Sequence, residues 1–196
     1  MLTSLIENLK EVKDFRKNQG KRYSLWEVLL VVVLGVMSGH QGYREMEYFV
    51  KANEVILKRT FNIYSQGMPS YSTIRRVMRG VDEKDLSKIV KEWSRENSPK
   101  LKSYKETVYY ISSIWEKADF FSQKIKGHWE IENQVHWVKD VLFKEDSMKI
   151  HQVQAATNWA LLNTLGLNIF RGLGFWSITE GRRWLGNHWD KLLAIS

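Results

Sequence analysis

The chain has no cysteine among its 196 residues, and it has only two prolines. The absence of cysteine excludes disulfides and thiolate metal sites, and with them the cross-linked scaffold of small secreted proteins. A reducing cytoplasm fits this composition best. The sequence also lacks a long apolar run, since its most apolar stretch, residues 28–37, is about half of the ~20 residues that a membrane-spanning helix requires. We therefore expect a buried core helix there and no membrane partner.

A secretion signal is also missing from the first residues. Residues 1–5 have neither the basic flank nor the small-residue cleavage site of a signal peptide, and Glu7 follows at once. We therefore expect the protein to stay inside the cell.

Acidic residues are outnumbered: 22 Asp and Glu stand against 30 Lys and Arg, which gives a net charge of +8. Basic side chains release condensed counterions when they neutralise phosphates, so this balance indicates a polyanionic partner. Net charge alone does not distinguish nucleic acid from a membrane surface. The 43% of apolar residues is enough for a globular core.

The spacing of apolar residues predicts a mainly α protein. Helices are expected over residues 2–12, 25–38, 43–52, 54–61, 71–80, 83–97 and 153–170. Residues 107–114 form the one predicted strand, because Val108, Tyr109, Tyr110 and Ile111 are consecutive β-formers. The polar run around Pro99 reads as a linker.

One predicted helix is strongly basic. Ser70 stands at the N-cap position after a turn at residues 67–69, and the helix that follows carries Arg75, Arg76 and Arg79. The turn, the cap and the arginines together suggest a helix-turn-helix whose N-terminus meets phosphate. The alternative is an ordinary solvated basic face, which is common on helices.

A second basic segment precedes the apolar helix, for which Ser24 is the predicted N-cap. The basic side chains of this loop are predicted to contact phosphates, while Tyr71 or Tyr23 packs on a sugar or a base. The predicted DNA-contacting residues are Arg16, Lys17, Lys21, Arg22, Tyr71, Arg75, Arg76 and Arg79.

Two blocks of sequence resemble the H-repeat group of insertion-sequence transposases. The first comprises FRKNQGKRYSL at residues 15–25 and PSYSTIRRV at residues 69–77, and it is similar to the N-terminal domain associated with that family. The second comprises YYISS at residues 109–113 and GHWEIENQVHWVKDVLFKED at residues 127–146, and it is similar to the family's C-terminal catalytic block. This resemblance implies a DDE-type recombinase with a ribonuclease-H-like fold.

The resemblance also implies that the middle of the recombinase is absent. In the family a segment with two catalytic aspartates lies between the blocks, whereas here only a charged linker separates Trp93 from Tyr109. Glu132 matches the third catalytic carboxylate, a metal ligand only if other carboxylates complete the site. Lys139, seven positions later, matches the signature lysine. The intact family uses Mg²⁺ or Mn²⁺, and no cofactor is expected for DNA binding alone.

Residues 128–140 offer a different metal hypothesis. His128, Glu132, His136 and Asp140 recur every four residues, which places them along one helix face. Zinc needs three or four ligands around one point, whereas a straight helix brings together only adjacent pairs. Hydrogen-bonded or exposed polar residues are the competing interpretation.

These observations give three domain segments and three functional readings. An N-terminal helical DNA-binding domain is expected at residues 1–96, a linker at 97–106, and a remnant of the catalytic domain with at most one or two strands at 107–196. The favoured reading is an inactive transposase derivative that binds double-stranded DNA, such as the terminal inverted repeats of an element, at the nucleoid in the cytoplasm. The rivals are a dimerisation module that pairs with itself or with a full-length transposase, and a metal-dependent transposase completed by another chain.

Overall fold

A computed structural model describes residues 2–63, 67–97, 150–175, 177–188 and 191 of the chain. Within these ranges the chain forms helices and no strand, which confirms the mainly α prediction. The predicted strand at 107–114 lies outside the described residues. The α-helices are α1 (Leu2–Lys10), α2 (Leu25–Met37), α3 (Tyr43–Ala52), α4 (Glu54–Phe61), α5 (Tyr71–Gly80), α6 (Glu83–Asn97), α7 (Val153–Gly172) and α8 (Ile178–Asn187), and a 3-10 turn spans Asn18–Gly20.

Helix α2 forms the centre of the core. Its residues 28–37 are all buried, and α1, α3, α5 and α7 pack around it. Ser24 is its N-cap, and the backbone N–H of Ser24 donates to the Glu27 carboxylate at 3.0 Å. Gly39 follows the helix with a φ of +91°, a conformation that favours glycine. The apolar run is thus a buried core helix, as its length predicted.

Helix α7 packs into the same core from far along the chain. It contacts α2, α5 and α6, and its Trp159, Leu162 and Phe170 are completely buried. Asn168 Nδ2 donates to the Ser94 hydroxyl of α6 at 2.8 Å. The hydrophobic core therefore joins helices from both sides of the predicted linker, while the proposed domain boundaries stay a prediction.

The described helices also bear on membrane insertion. Each of them is too short or too polar to cross a lipid bilayer.

Candidate nucleic-acid interface

Helix α5 presents a basic face because its apolar residues recur at helical spacing. Ile74, Val77 and Met78 are buried against α2, α3 and α7. The opposite side is exposed and carries Tyr71, Ser72, Arg75, Arg76 and Arg79. One amphipathic helix thus directs three guanidinium groups to solvent.

The start of α5 differs slightly from the predicted cap. Ser70 has the extended backbone of an N-cap residue, and its carbonyl accepts the Ile74 N–H at 3.1 Å. Its hydroxyl, however, pairs with the Ser72 hydroxyl at 2.9 Å and makes no capping bond to the backbone. Residues 62–70 connect α4 to α5 in the sequence. This connection is longer than the turn of three or four residues in a helix-turn-helix. The structure shows α5 as a basic helix, and the helix-turn-helix stays a prediction.

An open groove of about 510 Å³ lies along the basic side of α5. None of the described residues that line it is acidic, and three of them are arginines. Gln152 comes from the segment before α7, more than seventy residues away in sequence, and no sequence pattern indicated it. The groove is lined by Tyr71, Ser72, Arg75, Arg76, Arg79, Gly80 and Gln152.

The basic loop predicted from residues 16–22 lies beside α5. The Tyr23 hydroxyl donates to the Met68 carbonyl at 3.0 Å, just before α5 begins. At the other end of α5, the Phe15 ring occupies the space beside Gly80 where a β-carbon would stand. The structure thus brings together the two basic segments, with Lys17, Lys21 and Arg22 exposed in the loop.

Arg16 does not belong to this exposed set. Its side chain is 3% exposed, and its Nε and Nη2 atoms each donate to a carboxylate oxygen of Asp14 at 2.9 Å. Nη2 also donates to the Tyr23 carbonyl at 2.9 Å. The prediction that Arg16 contacts phosphate is therefore corrected: this arginine holds the loop together from inside. The signal available in the sequence was Asp14, two residues earlier.

The ion pair between Arg16 and Asp14 is expected to stabilise the fold in a pH-dependent way. Arg16→Ala is expected to lower the free energy of unfolding by about 1.5–3 kcal/mol, because it removes hydrogen bonds between charged groups. The Arg16 hydrogen bond holds the pKa of Asp14 below its ordinary 3.8. A carboxyl with a lowered folded pKa stabilises the fold above its unfolded pKa, and this stabilisation is lost as pH falls through the folded value.

Urea unfolding followed by circular dichroism at several pH values measures both effects. The native chain should lose stability from about pH 5 downward, and Arg16→Ala should lose less over the same interval. Arg16→Lys is the conservative control, since lysine keeps the charge but cannot make the paired hydrogen bonds. Identical pH dependence in the native and Arg16→Ala chains would show that the Asp14 pair does not contribute.

Tyr43 at the start of α3 lies within the field of the same arginines. Burial raises the pKa of its phenol, while the positive charges of Arg75 and Arg79 act in the opposite direction. The Tyr43 ring packs edge-on against Trp159 of α7, with 5.7 Å between the ring centroids. The arginine side of α5 therefore borders both α3 and α7.

The predicted catalytic and metal residues cannot be placed in this geometry. Glu132, Lys139 and the histidines His128 and His136 lie outside the described residues. Within residues 2–63, 67–97, 150–175 and 177–188, no three carboxylate or imidazole groups could hold a metal ion together. The described site is a basic surface.

Comparison with known proteins gives the family of the segment that contains this surface. Residues 6–94 match the family described as DDE_Tnp_1-associated. This segment is similar to the DDE_Tnp_1-associated family. The matched segment includes α5 and the basic loop, whereas α7 and Gln152 lie beyond it.

Curated proteins of Escherichia coli are similar to parts of the chain. "H repeat-associated putative transposase YhhI" of strain K12 is 39% identical over 61 residues, which is 31% of this chain and 16% of that protein. "H repeat-associated putative transposase YbfD" is 29% identical over 77 residues, covering 39% of this chain and 30% of that one. "Inactive transposase YbfQ" is 29% identical over 77 residues, covering 39% of this chain and 90% of that protein.

These matches are to a transposase-associated domain and to proteins named as transposases, in agreement with the resemblance of the sequence blocks. The chain spans only 16% of the length of YhhI. No solved structure matches the chain.

Proposed function

We propose that this transposase-derived chain binds double-stranded DNA through its basic face and does not cleave it. The basic face is defined as Lys17, Lys21, Arg22, Tyr71, Arg75, Arg76 and Arg79. The observation that carries the proposal is the contact between the loop and α5, which places two basic segments next to each other. Such a surface neutralises backbone phosphates and releases their counterions.

The loop and α5 are expected to contribute unequally to phosphate binding. Lys21 Nζ lies 3.7 Å from an Asp14 oxygen, so part of its charge is offset within the protein. Arg75, Arg76 and Arg79 lie on helix α5, and none of the described residues that line their groove is acidic. Helix α5 should therefore supply most of the affinity, with Tyr71 available to pack on a sugar or a base.

Equilibrium binding of a labelled duplex, measured by fluorescence anisotropy over a salt series, tests the proposal. Affinity should fall as salt rises, because counterion release supplies most of the binding free energy. A duplex with the terminal inverted repeats of an insertion element and a scrambled duplex of equal length separate specific from general binding. Binding that is absent at low salt would refute the proposal. A chain that binds DNA in this way is expected at the nucleoid.

The absence of cleavage follows from the carboxylate requirement of two-metal catalysis. That chemistry needs several acidic ligands around two ions about 4 Å apart, and the family resemblance assigns only Glu132 among them. The relative named an inactive transposase supports the same conclusion, because this chain covers 90% of its length.

We therefore expect the purified chain with Mg²⁺ or Mn²⁺ neither to nick nor to join DNA, as measured on supercoiled plasmid. Metal-dependent nicking that disappears in Glu132→Ala would contradict this expectation. Nicking that persists unchanged in Glu132→Ala would identify a contaminating nuclease instead.

Self-association is the second candidate function. Tyr48 on α3 is 70% exposed and Val55 on α4 is 81% exposed, so both present apolar area to a partner. We propose these two side chains as contacts for pairing with another copy or with a full-length transposase. Analytical ultracentrifugation separates the two functions, since concentration-dependent assembly without DNA affinity would favour the interaction module.

A further inference from the structure

The carbonyl groups at the C-terminal end of helix α5 need hydrogen-bond donors from outside the helix. The final carbonyl groups of any α-helix have no hydrogen-bond donor within the helix. Many helices satisfy them with a left-handed glycine after the last turn. Here the C-cap residue is Val81, whose backbone is extended, so that solution is not used.

Two amide side chains of α7 supply the missing donors. Asn158 Nδ2 donates to the Met78 carbonyl at 3.0 Å and to the Val81 carbonyl at 2.9 Å. Gln154 Nε2 donates to the same Val81 carbonyl at 2.7 Å. Their spacing of four residues places both amides on one side of α7, and Asn158 is completely buried.

The segment just before α7 reaches the DNA-binding groove itself. Gln152, the N-cap residue of α7, lines the groove beside the arginines. Its side-chain carbonyl accepts the Ala155 N–H at 3.0 Å, which fixes the side chain against the helix. Arg79 stands next to Met78, so the amides of α7 hold the backbone that carries this arginine.

We propose that Asn158 and Gln154 are positioning residues for DNA binding, because they set the end of α5 from which Arg79 reaches phosphate. The DNA-binding unit is then discontinuous: it combines the segment similar to the DDE_Tnp_1-associated family with residues 152–158, which lie outside the matched segment. This inference rests on the proposed DNA binding through α5.

A double-mutant cycle in the full chain tests the inference. Arg79→Ala removes one phosphate contact, which should reduce the slope of log affinity against log salt by about 0.9, or up to about eightfold in affinity at 0.1 M salt. Gln154→Ala and Asn158→Ala should each weaken duplex binding by about two- to fivefold. In the Arg79→Ala background neither should have a further effect, because both act through Arg79.

Asn168→Ala is the matched control, since Asn168 is another amide of α7 that bonds to a different helix, at Ser94 of α6. It should lower the melting temperature and leave the affinity and salt slope unchanged. If Asn158→Ala fails to fold by circular dichroism, Gln154→Ala decides the question, because it removes one hydrogen bond at a partly buried position.

Three results would overturn the inference. The first is that Gln154→Ala or Asn158→Ala lowers the affinity by the same factor in the native chain and in the Arg79→Ala chain. The second is that Asn168→Ala lowers the affinity as much as Gln154→Ala or Asn158→Ala does. The third is unchanged binding in folded Gln154→Ala and Asn158→Ala. A chain in which Arg79→Ala has no effect would refute DNA contact by the end of α5, and this failure is distinguishable because it appears without any change in α7.

Discussion

Replacing Arg75, Arg76 and Arg79 together by alanine is expected to weaken duplex DNA binding by up to about 500-fold at 0.1 M salt. Each lost phosphate contact reduces the slope of log affinity against log salt by about 0.9, so three contacts reduce it by up to about 2.7. The groove brings these three charges together, and no acidic residue lines it within the part of the chain that the structure describes. Anisotropy titrations between 0.05 and 0.3 M salt, a range of about sixfold, measure both the affinity and the slope.

A triple variant of equal charge on α6 is the matched control. Lys88, Lys91 and Arg95 are exposed and do not line the groove. Their replacement by alanine removes the same three charges, and it should change the slope much less if the contact is local. Equal losses from both triple variants would mean that net charge, rather than the basic face, determines binding.

The same titrations distinguish phosphate contact from base recognition. An arginine that contacts only phosphate contributes equally on every duplex, whereas one that bonds to a base edge discriminates by about 1–3 kcal/mol at one position. Single replacements of the three arginines, measured on matched and scrambled duplexes, assign one of these roles to each. The comparison therefore shows which arginines contact phosphate and which contact a base.

Local features of the fold could be predicted from the sequence because they depend on neighbouring residues. The bounds of α3, α4, α5 and α6 agree with the predicted ranges, since apolar spacing and turn residues lie within each segment. The exposed arginines of α5 follow from the same spacing. The burial of Arg16 did not follow, because a basic loop has no periodicity that separates a side chain inside from one outside.

Long-range features could not be predicted in the same way. Periodicity indicates that α7 is a helix with an apolar surface, but it does not identify which helices cover that surface. The amide bonds from Asn158 to Met78 and Val81 join residues about eighty positions apart. Gln152 lines the groove because α7, which follows it, packs against α5. The part of the candidate site contributed by α7 therefore required the structure.

The position of α7 predicts a large destabilisation by Trp159→Ala. Trp159 is completely buried, its ring packs edge-on against Tyr43, and its Nε1–H donates to the Gln41 side-chain carbonyl at 2.7 Å. Removal of a large buried aromatic side chain costs about 3–5 kcal/mol, because the cavity adds to the lost burial of apolar surface. Urea unfolding followed by circular dichroism should show this loss as a lower midpoint of a single transition.

Val153→Ala provides the control on the same helix, because Val153 is 77% exposed and should change stability by less than about 0.5 kcal/mol. Trp159→Phe should fall between the two, since it keeps an aromatic ring but leaves the Gln41 carbonyl without its donor. Trp159 joins α7 to α3 and to the loop before it, so its loss should destabilise the N-terminal helices as well. If Trp159→Ala instead leaves a separate transition at the original midpoint, the N-terminal helices fold independently of α7 and do not share one core with it.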